Sequence, residues 1–235
     1  MRLTASMLKT AAMLSSLFAL TCAAQQPSST VHLALSWPHQ SKHHSIPAVM
    51  WLEPLSGTDV PAFAPHERYT LLQKNRAFMP HLQVVPVGSA VAFPNDDPFF
   101  HNVFSLFDGK RFDLGLYEAG STKSVTFSRE GISYIFCNIH PEMSAVVIAL
   151  STPLYAVAGH DEAFTLINVP SGSYKVHLWV EGVPLAYLDS LTRTVHIEGG
   201  STNLGTISIT AAAPAIQEHA NKFGQPYPPE TKSPY

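Results

Sequence analysis

Residues 131–150 read Gly-Ile-Ser-Tyr-Ile-Phe-Cys-Asn-Ile-His-Pro-Glu-Met-Ser-Ala-Val-Val-Ile-Ala-Leu. Two runs rich in β-branched and aromatic residues, 132–136 and 144–150, flank a short loop and predict two β-strands. The loop carries a thiol, an imidazole and a thioether at Cys137, His140 and Met143. A loop this short brings three such side chains to one point only if it joins two strand ends. The stretch therefore predicts a β-structure with a metal-binding loop.

Similar short runs recur along the chain, separated by turn residues, in keeping with its 19 prolines and 13 glycines. No helical period is sustained over a long window. This spacing predicts an all-β protein made of antiparallel sandwiches. We expect a first domain over residues 25–150 and a second over 151–210. The tail, residues 211–235, contains five prolines and is expected to be disordered.

The first 24 residues have the pattern of a secretory signal peptide. Arg2 and Lys9 form a basic segment, residues 11–20 are apolar, and residues 22–24 form a small-residue cleavage site. We therefore expect a mature chain that begins at Gln25 in the periplasm or outside the cell. A membrane anchor is the first alternative, although the apolar run is shorter than the roughly 20 residues that a spanning helix needs. A lipoprotein attached at the cysteine of the cleavage site is the second.

The composition restricts the classes of function. Charged residues make up 13% of the chain, the formal net charge is −3, and no basic block suggests a nucleic-acid partner. The chain has two cysteines, so removal of the signal peptide leaves Cys137 as a single thiol without a disulfide partner. A lone thiol in an oxidising compartment persists when it is buried or bound to a metal.

The residue types around Cys137 favour copper over other metals. By itself Cys137 is most simply an inert buried thiol, but a thiolate with two imidazoles and a weak thioether suits copper. His101 is the candidate for the second imidazole. Zinc prefers several cysteines or histidines and binds methionine poorly. A binuclear copper centre needs two cysteines, and a Cys–His nucleophile lacks a recognisable oxyanion hole here.

Two segments resemble the cupredoxins, in particular amicyanin and plastocyanin. Residues 137–143, Cys-Asn-Ile-His-Pro-Glu-Met, are similar to the tight ligand loop of amicyanin. Residues 95–103, Asn-Asp-Asp-Pro-Phe-Phe-His-Asn-Val, are similar to the segment that supplies the first histidine in these proteins. Residues 88–93 and 131–137 resemble the strands that precede the two segments. The match covers roughly residues 80–150 and implies a Greek-key β-sandwich.

The resemblance implies one type 1 (blue) copper ion per chain. It implies that His101 and His140 bind copper through ring nitrogens, Cys137 through its thiolate and Met143 axially. It implies for Asn102 a side-chain hydrogen bond that joins the two ligand loops and tunes the sulfur. A cupredoxin carries single electrons between redox partners, such as a cytochrome or a dehydrogenase, and is not an enzyme.

The second set of strands resembles another family. Residues 164–176, Phe-Thr-Leu-Ile-Asn-Val-Pro-Ser-Gly-Ser-Tyr-Lys-Val, are similar to the carboxypeptidase regulatory-like (transthyretin-like) β-domain. The predicted fold is therefore a Greek-key cupredoxin sandwich followed by a smaller transthyretin-like sandwich. Simple cupredoxins lack this module and residues 25–75. We expect the N-terminal extension to add strands to the cupredoxin sheet.

Two other functions are left open. Copper storage or delivery would use weak, exchangeable binding, for which His39, His43 and His44 form a histidine cluster, although the simpler interpretation of that cluster is a solvated loop. An adhesion or envelope-binding protein would use the second β-module and keep copper for structure alone. In the cupredoxins an apolar patch surrounds the loop histidine, and Pro141 lies either there or in the core.

Overall fold

The computed structural model describes residues 28–37, 46–65, 68–106, 109–159, 162–210 and 219–227. Within these ranges the chain forms 17 β-strands and one short helix, so it is nearly all-β. The strands up to the middle of the chain are β1 (Ser28–Ser36), β2 (Ala48–Pro54), β3 (Tyr69–Thr70), β4 (Leu72–Lys74), β5 (Ala77–Met79), β6 (Leu82–Pro86), β7 (Ser89–Pro94), β8 (His101–Ser105) and β9 (Phe112–Tyr117). The remaining elements are β10 (Thr122–Phe127), β11 (Gly131–Cys137), β12 (Ser144–Leu150), β13 (Tyr155–Val157), β14 (Ala163–Pro170), β15 (Gly172–Val180), α1 (Leu185–Ser190), β16 (Arg193–Ile197) and β17 (Gly200–Ser208).

The first sandwich holds the predicted metal loop. Its larger sheet has the order β6-β12-β11-β8-β9, and its smaller sheet has the order β10-β7-β3. β7 alternates between the core and the surface, which places Val91 and Phe93 inside. These side chains share one buried cluster with Ile135 of β11 and Val147 of β12. The cluster joins the two sheets and includes Cys137.

The second sandwich combines strands from both ends of the chain. One sheet has the order β14-β1-β17 and the other β13-β2-β15-β16. β1 pairs antiparallel with β14 and parallel with β17, and β2 lies between β13 and β15. Leu33 of β1 and Met50 of β2 meet Phe164 and Tyr174 in a second buried core. The N-terminal strands are thus integral to this sandwich.

For β1 and β2, this pairing corrects the expectation that the N-terminal extension adds strands to the cupredoxin sheet, whereas β3, also in the extension, pairs with β7 of the first sandwich. Among the described residues, β1 and β2 pair only with strands of the second sandwich. The apolar pattern of residues 48–53 predicts a strand but carries no information about its neighbour, because strand partners are chosen by tertiary packing. The division into domains at residue 151 stays a prediction, and the second sandwich takes its first two strands from before that point.

An apolar cluster connects the two sandwiches. Val49 and Trp179 from the second sandwich are fully buried against Val146, Ile148 and Leu150 of β12. The indole N–H of Trp179 also donates a hydrogen bond to the hydroxyl of Tyr134, 3.1 Å away. β12 is therefore covered on both faces, which explains its continuous apolar run.

Two further predictions concern the ends of the chain. The predicted signal peptide, residues 1–24, lies outside the described residues, as does the histidine cluster at 38–45. Residues 219–227 form a hydrogen-bonded turn packed on the first sandwich, so the expectation of disorder is wrong for this part of the tail. In the described part of the chain, no helix is long and apolar enough to cross a membrane.

Candidate metal centre

The first sandwich brings the predicted ligands to one end of its larger sheet. His101 is the first residue of β8, and Cys137 is the last residue of β11. These strands are antiparallel neighbours with Cys137 opposite Val103, so the start of one strand lies beside the end of the other. His140 and Met143 follow in the loop between β11 and β12. Strand pairing thus joins two segments that are 36 residues apart.

Three donor atoms converge at this end. The Sγ atom of Cys137 lies 3.6 Å from Nδ1 of His101 and 3.5 Å from Nδ1 of His140, and the two Nδ1 atoms are 3.1 Å apart. Donor atoms that bind one ion at about 2.0 Å for nitrogen and about 2.3 Å for sulfur would lie roughly 3.5 Å apart. The observed distances fit such an ion within a few tenths of an ångström. Among the described residues, this is the one cluster of three His, Cys, Asp or Glu side chains so arranged.

Met143 closes the ligand loop. Its backbone N–H donates to the carbonyl of His140 at 3.1 Å, and its carbonyl accepts from the N–H of Cys137 at 3.3 Å. The side chain of Met143 is fully buried in the same core cluster as Cys137. A loop held in this way keeps Cys137 and His140 close before any metal binds.

A buried carboxylate orients His101. Nε2 of His101 lies 2.9 Å from Oδ2 of Asp97, and both side chains are buried. The carboxylate accepts a hydrogen bond from Nε2–H, so the lone pair is on Nδ1, the atom that faces Cys137 and His140. Backbone N–H groups of Asn75 and Arg76 donate to the same carboxylate at 2.6 and 3.0 Å. Asp97 lies within residues 95–103, the segment predicted to supply His101, but the sequence analysis gives this residue no role of its own.

The protonation states suit metal binding. Burial raises the pKa of the Cys137 thiol, although backbone N–H groups of Asn102, Ile139 and His140 oppose the rise. Burial lowers the pKa of both His101 and His140, and the proximity of His101 lowers that of His140 further. Neutral imidazoles have free lone pairs, and a bound cation would convert the thiol to the thiolate that binds it.

Burial would likewise raise the pKa of Asp97, but its hydrogen bonds with Arg76, His101 and Asn75 outweigh that effect. The net result is a pKa below the ordinary value for an aspartate. The residue beside His101 is therefore an anion at neutral pH. Its charge lies within hydrogen-bond distance of a candidate metal ligand.

Asn102 joins the ligand loops differently from the expectation. Its side-chain amide donates to Oδ1 of Asp113 on β9 at 2.7 Å. The link to the other loop runs through its backbone, because its carbonyl accepts from the N–H of Asn138 at 2.9 Å. The predicted side-chain link is thus replaced by a backbone link.

Aromatic and apolar residues border the exposed side of the cluster. The ring of Phe99 lies 5.3 Å from that of His101 and 5.4 Å from that of His140. Phe100 is 54% exposed, and Pro141 is half-buried beside His140. Phe99 therefore packs on the candidate ligands themselves.

No family model matches the chain, and no curated protein does. Among solved structures, a purple cupredoxin from Nitrosopumilus maritimus matches 35% of the chain and 99% of its own length at 23% identity, with a TM-score of 0.32. A Cu-containing nitrite reductase from Thermus scotoductus SA-01 matches 42% of the chain at 23% identity and a TM-score of 0.34, and the match spans 25% of that enzyme. A mutant of amicyanin in the Cu(I) form matches 35% of the chain and 82% of its own length at 20% identity, with a TM-score of 0.33.

These structural neighbours are cupredoxins and one copper enzyme, and each is similar to less than half of the chain. The resemblance of the second sandwich to carboxypeptidase regulatory-like domains stays a prediction.

Proposed function

We propose that the chain is a type 1 copper protein that carries single electrons between redox protein partners. One observation supports this most directly: the convergence of Cys137 Sγ with Nδ1 of His101 and His140 within 3.6 Å. One thiolate and two imidazoles, with a methionine in the same loop, are the donor set of a blue-copper site. One copper ion per chain is part of the proposal.

The residues around the site would keep the ligands in one arrangement. When bound, copper supplies a one-electron change between Cu(II) and Cu(I). Asp97 orients His101, and the hydrogen bonds of Met143 hold the loop of Cys137 and His140. Ligands fixed before binding need little rearrangement when the charge of the ion changes, and this favours fast electron transfer.

The solvent edge of the site is the proposed route for electrons. His101 and Cys137 are fully buried, whereas His140 is half-buried. Electrons would therefore enter and leave through the imidazole of His140, beside Pro141. A carrier of this kind binds no substrate, so we propose that the chain is not an enzyme.

The proposed location is the periplasm or the cell exterior, after removal of residues 1–24. This part of the proposal rests on the basic and apolar segments of the N-terminus and on its small-residue cleavage site. A redox protein in the same compartment would be the partner.

The test is the visible spectrum of the purified protein after addition of Cu(II), followed by ascorbate. We expect an intense thiolate-to-copper band that bleaches on reduction and returns on oxidation. Cys137→Ser should abolish the band. His196→Gln, which removes an exposed histidine of the second sandwich, should leave it unchanged. Copper binding without such a band, undiminished in Cys137→Ser, would overturn the proposal and favour copper storage or delivery through other histidines.

A further inference from the structure

Residues 219–227, here called the C-terminal clamp, reach the backbone of the metal loop. The hydroxyl of Tyr227 donates a hydrogen bond to the carbonyl of Cys137 at 2.6 Å. The backbone N–H of Lys222 donates to Oδ1 of Asn138 at 2.9 Å. The clamp therefore contacts a candidate metal ligand and the residue that follows it, from about 90 residues away in the sequence.

A second set of contacts anchors the clamp to β9. The ammonium group of Lys222 lies 2.7 Å from Oδ2 of Asp113. The other oxygen of Asp113 accepts from the side chain of Asn102, the residue after His101. Asp113 thus connects the clamp to β8 as well, so the clamp is tied to both strands that carry the buried ligands.

The clamp also covers apolar surface beside the site. The ring of His219 stacks on Phe136 with centroids 4.1 Å apart and meets Phe104 edge-on. Phe104 is 1% exposed although it points to the outer side of its sheet, opposite to its core-facing neighbour Val103. Tyr227 packs edge-on against His219, at a centroid distance of 5.2 Å. The clamp is therefore held by packing as well as by polar contacts.

The clamp has a defined internal structure. Oδ1 of Asn221 accepts from the backbone N–H groups of Phe223 at 2.9 Å and Gln225 at 3.1 Å. The N–H of Gly224 donates to the carbonyl of Asn221 at 2.9 Å. This Asx-type turn brings Lys222 and Tyr227 to the same ligand loop.

We propose that the C-terminal clamp is part of the metal centre, with Tyr227 as a positioning residue that fixes the backbone of Cys137. Cys137 is the last residue of β11, so the support of the strand ladder ends where the ligand begins. The hydroxyl of Tyr227 adds a hydrogen bond to the backbone of Cys137, where β11 ends. The clamp holds the thiolate in place in both oxidation states and slows the release of copper. This inference rests on the proposed copper function.

Tyr227→Phe removes the hydroxyl that donates to the carbonyl of Cys137 and keeps the ring that packs against His219. Loss of one hydrogen bond of ordinary strength changes an equilibrium about fivefold. We therefore expect Tyr227→Phe to release copper about fivefold faster, and to shift the thiolate-to-copper band and the reduction potential.

The experiment compares the full chain with Tyr227→Phe and Lys222→Met. Copper release to a chelator, the visible and EPR spectra of the Cu(II) protein and its reduction potential are measured for each. In the metal-free protein, amide hydrogen exchange is measured for the peptide that covers residues 137–143. Tyr174→Phe is the matched control, because its hydroxyl donates to the carbonyl of Pro170 at 2.7 Å, within the second sandwich.

For Tyr227→Phe we expect faster copper release, altered spectra and faster amide exchange in the loop. Lys222→Met should show smaller changes of the same kind. Tyr174→Phe should show none of these changes. If the wild type forms the copper band and Tyr227→Phe matches it in release, spectra and loop exchange, the clamp proposal is overturned and the copper function stands. If the wild type forms no band, the copper function fails, and with it the role of the clamp in a metal centre. Loop exchange in the metal-free protein then still decides whether Tyr227 holds the loop.

Discussion

The candidate ligands are supported by different kinds of contact. His101 is fixed by an anionic side chain, since Asp97 bonds its Nε2 at 2.9 Å. Cys137 is fixed through its backbone, which bonds Met143 on one side and Tyr227 on the other. His140 has the most solvent exposure of the three donors that converge. The buried side of the site thus lies inside the sandwich, and the loop histidine is its most exposed part.

The charge of Asp97 is expected to set the reduction potential of the bound copper. An anion bonded to a ligand imidazole stabilises Cu(II) more than Cu(I), so Asp97→Asn should raise the potential by on the order of 50 mV. A redox titration monitored by the absorbance of the thiolate-to-copper band measures this reduction potential. Asp96→Asn is the control, because Asp96 is an exposed carboxylate paired with Lys74. Equal potentials for the two variants would show that the charge of Asp97 does not act on the metal.

At the scale of elements, β2 and β12 are covered on both faces. Met50 and Leu52 of β2 enter the core of the second sandwich, while Val49 packs against β12. In β12 every residue from Ala145 to Leu150 is buried. Their packing back to back explains why the apolar runs of β2 and β12 lack the alternation of a half-exposed sheet. They also make the two sandwiches dependent on each other.

Shortening a buried side chain of β2 tests whether this strand belongs to the second core. Leu52 is fully buried there, and Leu52→Ala is expected to lower the free energy of unfolding by about 2–5 kcal/mol through lost burial and a cavity. Urea denaturation followed by circular dichroism provides the measurement. Ile167→Ala on β14 removes a side chain that is 67% exposed and should change stability by less than about 0.5 kcal/mol. A Leu52→Ala protein as stable as Ile167→Ala would contradict the observed position of β2.

At the scale of the whole molecule, a polar pair lies beside the apolar cluster that joins the sandwiches. Nε2 of His81, just before β6, lies 2.5 Å from a carboxylate oxygen of Glu181, just after β15. Nδ1 of His81 lies 3.1 Å from the carbonyl of Ser144. The hydrogen bond with Glu181 is the main reason that the pKa of His81 is raised, against the effect of burial. The pair therefore connects the two sandwiches most strongly when His81 is protonated.

This pair predicts a pH-dependent contribution to stability. A raised pKa in the folded state means that the stabilisation is fully present below about pH 6.5, the ordinary pKa of histidine, and is lost as the pH rises through the folded-state value. His81→Gln should therefore lower the urea midpoint of the metal-free protein more at pH 5.5 than at pH 9. Glu181→Gln should remove the same pH dependence. A His81→Gln effect that is equal at both pH values would contradict the assignment.

Local sequence was enough to predict most strands and the loop that carries Cys137, His140 and Met143. Alternating and continuous apolar runs predict β7, β8, β11 and β12, because the period of side chains along a strand depends only on adjacent residues. The candidate ligand loop, residues 137–143, can likewise be recognised from neighbouring residues alone. The sequence pattern does not predict β9 or the short helix α1. β9 contains Gly115 and has only weak alternation of apolar and polar residues, and α1 spans only six residues.

The sequence by itself determined that the chain is β-rich and that Cys137, His140 and Met143 belong to one loop, because these properties depend on neighbouring residues. Only the tertiary structure decided which strands pair. The parallel pairing of Ser29 with Gly200 joins the first and the last described strands, and no local pattern specifies a neighbour so distant. The contact of Tyr227 with Cys137 has the same origin. Long-range contacts are chosen by the packing of whole faces, so they become visible only in the folded molecule.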